Sequence, residues 1–265
     1  MEECQNYQIR GLQFIASADE ITHNAIVYRY PNGCVDILAS DKRIFREPGW
    51  ERETEYDKTE RRPAPREPGK KAEGENQQRS MRRARAKLRR LALANDFEYF
   101  VTLTLDKTKI DRYDPKVITK ALNTWTDNMV RRNGIRYILV PEQHKDGALH
   151  FHGFFAGENL PVTDSGKKDT CGEPVYNLPQ WKYGFSTAIR LRGEYPRAVA
   201  YVCKYIGKQE GQRPMGRWYY SGGALKEPPK EYIDIDFDEV SNKTDATIFE
   251  IPAGKMAVIH TKTEV

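Results

Sequence analysis

Val140-Pro141-Glu142-Gln143-His144-Lys145-Asp146-Gly147-Ala148-Leu149-His150-Phe151-His152-Gly153-Phe154-Phe155 decides how this chain reads. Two apolar, β-favouring runs flank a polar turn, which predicts an antiparallel hairpin with strands over 136–144 and 148–156. Alternate side chains of a strand share a face, so His150 and His152 point the same way, roughly 7 Å apart, while Phe151 points into the opposite layer. Two imidazoles so spaced can chelate one metal ion. Register decides what joins them. If Lys145-Asp146-Gly147 is a three-residue loop with Gly147 left-handed, Glu142 opposes His150 and His144 opposes Ala148. If the turn is the two-residue Asp146-Gly147 type, the pairing slips and Gln143 faces His150 instead. The first register is the one expected, because it puts a carboxylate beside two imidazoles. Glu142, His150 and His152 with open positions suit Mg²⁺ or Mn²⁺ acting as a Lewis acid on phosphate; zinc is a further option and His144 an alternative ligand.

Outward from the hairpin the rhythm is mixed α and β. Phe97 to Leu105 is dense in aromatic and β-branched residues and reads as a strand. Pro115, capped by Asp114, opens a helix with Ile118, Leu122, Trp125 and Met129 as its buried stripe, and Asn133-Gly134 ends it. After a loop over 157–180 come a strand near Gly184–Leu191 and a helix from Pro196 to about Lys208. The order strand, helix, strand, strand, strand, helix suits an α+β fold: a central antiparallel sheet with helices on one face, ferredoxin-like or RRM-like.

That last helix is the second informative segment. At ~100° per residue, Val199, Val202, Cys203 and Ile206 fall on one side. Tyr201, Lys204, Tyr205 and Lys208 fall on the other. Taken alone, this is an amphipathic helix with solvated phenols and ammonium groups. A phenol is a poor nucleophile at neutral pH unless something favours its ionised form or its attack. Adjacent Lys⁺ and a metal-polarised phosphate would do both.

Composition narrows the classes. The chain has 265 residues, 43 Lys+Arg against 38 Asp+Glu, and 31% charged residues; its mean hydropathy is −0.77. No apolar run approaches the ~20 residues of a spanning helix, and the N-terminus has neither the basic nor the apolar segment of a secretory signal. Four cysteines far apart, without a Cys-x-x-Cys pair, fit a reducing cytoplasm better than a disulfide framework. Charge is concentrated: residues 58–90 hold 13 Lys/Arg against 4 Asp/Glu. Residues 51–76 read as a charged, Pro-containing linker. Residues 77–94 read as a basic helix with Arg82, Arg83, Arg89 and Arg90 among its exposed cations, either a solvated face or a phosphate-tracking element. Arg190 and Arg192, near the last strand, are further candidate DNA contacts. Residues 1–50 form an N-terminal β element around a Pro31-Asn32-Gly33 turn, 77–231 the main domain, and 232–265 a C-terminal β tail with a hairpin near 247–260.

A strand with a His-x-His pair, an acidic residue upstream and a Tyr-x-x-Lys helix downstream, in that order, resembles the HUH endonuclease superfamily. Phe100–Leu105 resembles its first motif, His150-Phe151-His152 its second, and Tyr201-Val202-Cys203-Lys204-Tyr205-Ile206-Gly207-Lys208 its third. The doubled tyrosine is similar to that of phage replication initiators. Val140 through the histidine pair looks like the replication-associated group that includes the gene II protein of filamentous phages. The resemblance spans roughly residues 95–230. It implies metal-dependent, sequence-specific nicking and strand transfer of single-stranded DNA to start rolling-circle replication, in the cytoplasm of a bacterial host. It assigns His150, His152 and Glu142 to the metal, Tyr201 and Tyr205 to nucleophilic attack with Tyr201 first, and Lys204 and Lys208 to phosphate or metal geometry. With no phosphate-binding Gly-x-x-x-x-Gly-Lys loop in the chain, unwinding and synthesis would fall to a host helicase and polymerase. A relaxase or transposase of the same superfamily, a non-catalytic origin-binding repressor and an unrelated metal hydrolase are the competing readings.

Overall fold

The structure, a computed structural model, describes residues 12, 14–17, 22–45, 70–193, 195–208, 213–251 and 254–262. The chain divides into two compact units, one of residues 69–227 and one built from 1–68 together with 228–265.

Strands β1 (Phe14–Ser17), β2 (Thr22–Arg29) and β3 (Cys34–Phe45) come first in the chain and belong to the second unit; in the first, helix α1 (Lys70–Leu93) is followed by β4 (Tyr99–Leu105), α2 (Pro115–Asn133), β5 (Arg136–Gln143), β6 (Leu149–Ala156), β7 (Thr163–Lys168), β8 (Pro174–Asn177), β9 (Gly184–Arg190), α3 (Tyr195–Tyr205) and β10 (Tyr220–Gly222). The seven strands form one sheet in the order β10-β5-β6-β4-β9-β8-β7, and every pairing is antiparallel. β6 lies between β4 and β5, so β4-α2-β5 is a split βαβ unit of the ferredoxin-like kind.

α2 begins and ends as its sequence dictates. The Asp114 carboxylate accepts from the backbone N–H of Lys116 and Val117, and Gly134 closes the helix in the left-handed conformation at φ 63°. Its buried residues Ile118, Leu122, Trp125 and Met129 pack on the face of the sheet that carries Tyr99, Val101, Leu103, Phe151 and Phe155. Burying each side chain of this size contributes about 2 kcal/mol.

The helices cover both faces of the sheet, not one. Tyr195, Tyr201 and Tyr205 of α3 touch Phe154, Phe100 and His152, which alternate with the α2-facing residues and so lie on the reverse side. The reason lies in the strands. β5 is buried without interruption from Tyr137 to Pro141, and Phe154 and Ala156 are buried behind β6, so the second face is apolar enough to demand cover. α1 packs behind α3, with Leu88, Leu91 and Ala92 buried. It starts at Lys70, inside the stretch read as linker; the rest of that linker lies outside the described residues. The loop expected over 157–180 contains the β7–β8 hairpin, which extends the sheet beyond β9. β7 of this hairpin is polar and exposed, and β8, with Val175 buried and Tyr176 half-buried, is only four residues long, so the hairpin carries no readable hydrophobic period. Its turn is built by Asp169, whose carboxylate accepts from the N–H groups of Cys171 and Glu173.

In the other unit, β1 (Phe14–Ser17), β2 (Thr22–Arg29), β3 (Cys34–Phe45), β11 (Lys230–Ile235), β12 (Thr247–Ile251) and β13 (Gly254–Lys262) form a six-stranded sheet in the order β1-β11-β2-β3-β13-β12, with the short helix α4 (Phe237–Ser241) against β3 and β13. Both hairpins expected from the sequence are present, the first turning at Gly33 with φ 76°. Strands from the N-terminal element and the C-terminal tail are interleaved in this one sheet, β11 between β1 and β2 and β13 beside β3. The buried Asp36 carboxylate joins them, accepting from the Tyr30 hydroxyl at 2.8 Å and meeting His260 Nδ1 at 2.7 Å. Among the described residues, no helix is long and apolar enough to cross a membrane.

Candidate active site

The hairpin adopts the three-residue register. Glu142 opposes His150, the His144 N–H donates to the Ala148 carbonyl at 2.8 Å, and Gly147 takes φ 87°. Glu142, His150 and His152 therefore share the sheet face that α3 covers. His144 sits at the hairpin end with its ring centroid 3.8 Å from that of His150.

Each histidine is held by a threonine of β4, which pairs with β6. Thr102 opposes His152 and its hydroxyl lies 3.1 Å from Nδ1; Thr104 opposes His150 at 3.3 Å from Nδ1. With Nδ1 engaged, Nε2 is the free coordinating atom of His150, while Nε2 of His152 lies 2.7 Å from the Glu142 carboxylate. Burial, with His144 and His152 nearby, lowers His150 to about 4. Burial also lowers His152, against the opposing pull of Glu142. Imidazoles that resist protonation keep their lone pairs for a Lewis acid.

Glu142 bridges the two halves of the site. Burial alone would raise it, but the hydrogen bond and charge of Lys208, with the contact from His152, prevail, and its carboxyl is held below the ordinary value. Helical periodicity misplaces the source of this contact. α3 ends at Tyr205, Gly207 turns left-handed at φ 80°, and Lys208 leaves the helix to reach Glu142 from beyond its end. α1 secures that turn: Arg85 Nε donates to the Ile206 carbonyl at 2.8 Å, and the Met81 thioether occupies the space a side chain at Gly207 would need.

Both tyrosines come to the histidines. The Tyr205 ring lies over the His152 imidazole, centroids 4.3 Å apart and 11° from parallel, with Lys208 Nζ 5.3 Å from the same ring. Its hydroxyl donates to that of Tyr201 at 2.6 Å. Burial, that hydrogen bond and the charges of Tyr201 and Glu142 push the Tyr205 phenol up. Tyr201 is 49% exposed and meets Phe100 edge to face. Lys204 is exposed beside them, and Cys203 is half-buried against α1 with its thiol 3.9 Å from the Arg85 carbonyl.

The candidate DNA contacts divide. Arg82 and Arg83 are exposed on α1, and Arg89 and Arg90 half-buried. Arg190 opposes Tyr99 and stacks on its ring, on the α2 face and away from the histidines, because residue parity along β9 sends it there. Arg192 is paired with Glu173. Sequence reasoning places Phe100, Thr102 and Thr104 in the first motif without giving them a role, and assigns none to Arg85. The threonine pair is nonetheless legible as two hydroxyls at i and i+2 of the strand next to the histidines.

The donor set suits a divalent cation: two neutral imidazoles oriented from behind and one ionised carboxylate. Among the described residues, no three His, Cys, Asp or Glu side chains stand ready as a coordination shell. Glu142 is engaged by Lys208 and His152, so a cation would have to compete for it. Residues 98–210 match the model of the replication-associated protein family of the ORF2 and gene II protein type; no curated protein and no solved structure matches the chain. The matched stretch contains both histidines, both threonines, Glu142, both tyrosines and Lys208, so the segment that builds the site is the one similar to phage- and plasmid-type replication-associated proteins.

Proposed function

We propose that the chain is an endonuclease and strand transferase of the HUH type that starts rolling-circle replication by nicking single-stranded DNA at an origin. The observation that carries this reading is the stacking of Tyr205 on His152 with its hydroxyl on Tyr201, which brings two phenols from a separate helix to a histidine pair on the sheet. A metal hydrolase needs no such phenols, and an origin-binding repressor needs neither phenols nor neutral imidazoles.

In the reaction, the Tyr201 hydroxyl oxygen bonds to the scissile phosphorus as its proton passes to solvent. The bond from phosphorus to the 3′ oxygen breaks, and that oxygen takes up a proton to leave a free 3′-OH, with the 5′ phosphate esterified to tyrosine. Tyr205, donating to Tyr201, stabilises negative charge developing on the attacking oxygen and is placed for the second transfer that closes the displaced strand. Mg²⁺ or Mn²⁺, held by His150, His152 and Glu142, would supply Lewis-acid polarisation of the phosphate. Lys204 and Lys208 add positive charge around the phosphate path.

The test is cleavage of labelled single strands from the replicon's own origin with Mn²⁺ or Mg²⁺. His150→Ala and His152→Ala should abolish cleavage while DNA binding survives. Cleavage by both variants at the wild-type rate would contradict the assignment.

A further inference from the structure

The face of the sheet that carries the histidines continues past them onto β9. Cross-strand register places His150 opposite Thr104 and Thr104 opposite Phe185, and likewise His152, Thr102 and Thr187. Phe185 therefore lies on the histidine face two strand spacings from His150, roughly 10 Å away. α3 covers this face over Phe154, Phe100 and His152. Phe185 is 67% exposed and Thr187 is exposed as well. An aromatic ring so exposed, near the start of β9, contributes little to the core. Above it stands a cation: Lys109 Nζ is 6.0 Å from the ring centroid. Lys109 comes from the loop after β4, where Asp106 is occupied by the N–H and hydroxyl of Thr108.

We propose that Phe185 is a stacking platform for a base of the single-stranded DNA substrate, with Lys109 contacting the adjoining phosphate. This inference rests on the nuclease reading for the identity of the strand, and the chemistry of the patch is what such a strand requires. A flat π-face accepts any base, and a cation beside it accompanies the backbone. The strand would then cross the sheet from β9 over Thr104 to the histidines and tyrosines. Phe185 would position the strand without touching the reacting phosphate.

The test measures equilibrium binding of a fluorescein-labelled origin single strand to the full chain by polarisation, without divalent metal, for wild type, Phe185→Ala, Phe185→Trp and Lys109→Ala. Phe185→Ala should weaken binding by about tenfold. Phe185→Trp should stay near wild type, and its additional indole emission should be quenched by DNA. Lys109→Ala should lower the slope of log affinity against log salt by about 0.7. Wild-type affinity for a folded Phe185→Ala, or unquenched emission from Phe185→Trp, would overturn the proposal. Covalent adduct formation by wild type is read separately. An adduct with unchanged Phe185→Ala affinity removes the platform and keeps the nuclease. Weakened Phe185→Ala binding with no wild-type adduct supports the platform as a single-strand contact and removes the nuclease.

Discussion

Lys208 donates to one carboxylate oxygen of Glu142 while the other lies 2.7 Å from Nε2 of His152, so an ammonium group holds the position beside Glu142 that a metal ion would need. Lys208 is more than half exposed and Glu142 nearly buried, so solvent screens the pair and its net worth is modest. Lys208→Met should tighten Mn²⁺ binding about two- to fivefold, read by titration calorimetry, while slowing DNA cleavage. Weaker Mn²⁺ binding in that variant would mean that Lys208 supports the site rather than competing with the metal.

The threonines behind the histidines are positioning residues. Thr102→Val and Thr104→Val keep the β-branched shape and remove the hydroxyl facing Nδ1. Each should lower Mn²⁺ affinity by about 10- to 100-fold, since the contact behind each ring fixes its orientation and tautomer. Calorimetry checks this, and unchanged affinity in both variants would show that strand geometry alone orients the rings.

Gly153 separates His152 from Phe154, and a side chain there would collide with the carbonyl oxygen of Ile138 on β5. The close approach of β5 and β6 at this point depends on glycine. Gly153→Ala should destabilise the unit by about 2 kcal/mol or more, measured by urea unfolding.

Tyr195 ties the start of α3 to the end of α1, its hydroxyl donating to the carbonyls of Ala92 at 2.8 Å and Asn95 at 3.1 Å. Burial, reinforced by the charge of Asp96, pushes its phenol well above the ordinary value. The folded state keeps this proton where the unfolded chain begins to lose it, near pH 10. Its contribution is therefore complete below pH 10 and is lost progressively above it. Tyr195→Phe should be less stable at pH 7 by about 1 kcal/mol, with a flatter decline in alkali. Denaturant midpoints from pH 7 to 11 test both parts.

Local chemistry made much of this legible in advance. Asp114, Pro115 and Gly134 mark both ends of α2, and Gly147 fixes the register that sets Glu142 against His150. The helix bearing both tyrosines is readable from the spacing of Val199, Val202 and Ile206. What sequence did not reveal depends on partners distant in the chain. The second helical layer follows from the burial of both β5 faces, and Lys208 reaches Glu142 only because Gly207 breaks the helical period under α1. In the β7–β8 hairpin the edge strand β7 is polar and β8 offers only Val175 and Tyr176 to the core, too short an apolar run to read, with Asp169 building the turn. The face to which Phe185 or Arg190 belongs needed the β4–β9 register.

The most direct measurement traps the covalent intermediate. Labelled origin DNA is incubated with Mn²⁺ and wild type, Tyr201→Phe, Tyr205→Phe or the double variant, then resolved on a denaturing gel with the adducted peptide identified by mass. Wild type should form an adduct on Tyr201. Tyr201→Phe should lower its yield by about 10³-fold or more. Tyr205→Phe, whose ring can still stack on His152 but no longer donates to Tyr201, should slow the first cleavage without abolishing it and lose the second transfer, and the double variant should give none. Metal-dependent cleavage by the double variant at the wild-type rate would contradict the tyrosine mechanism outright.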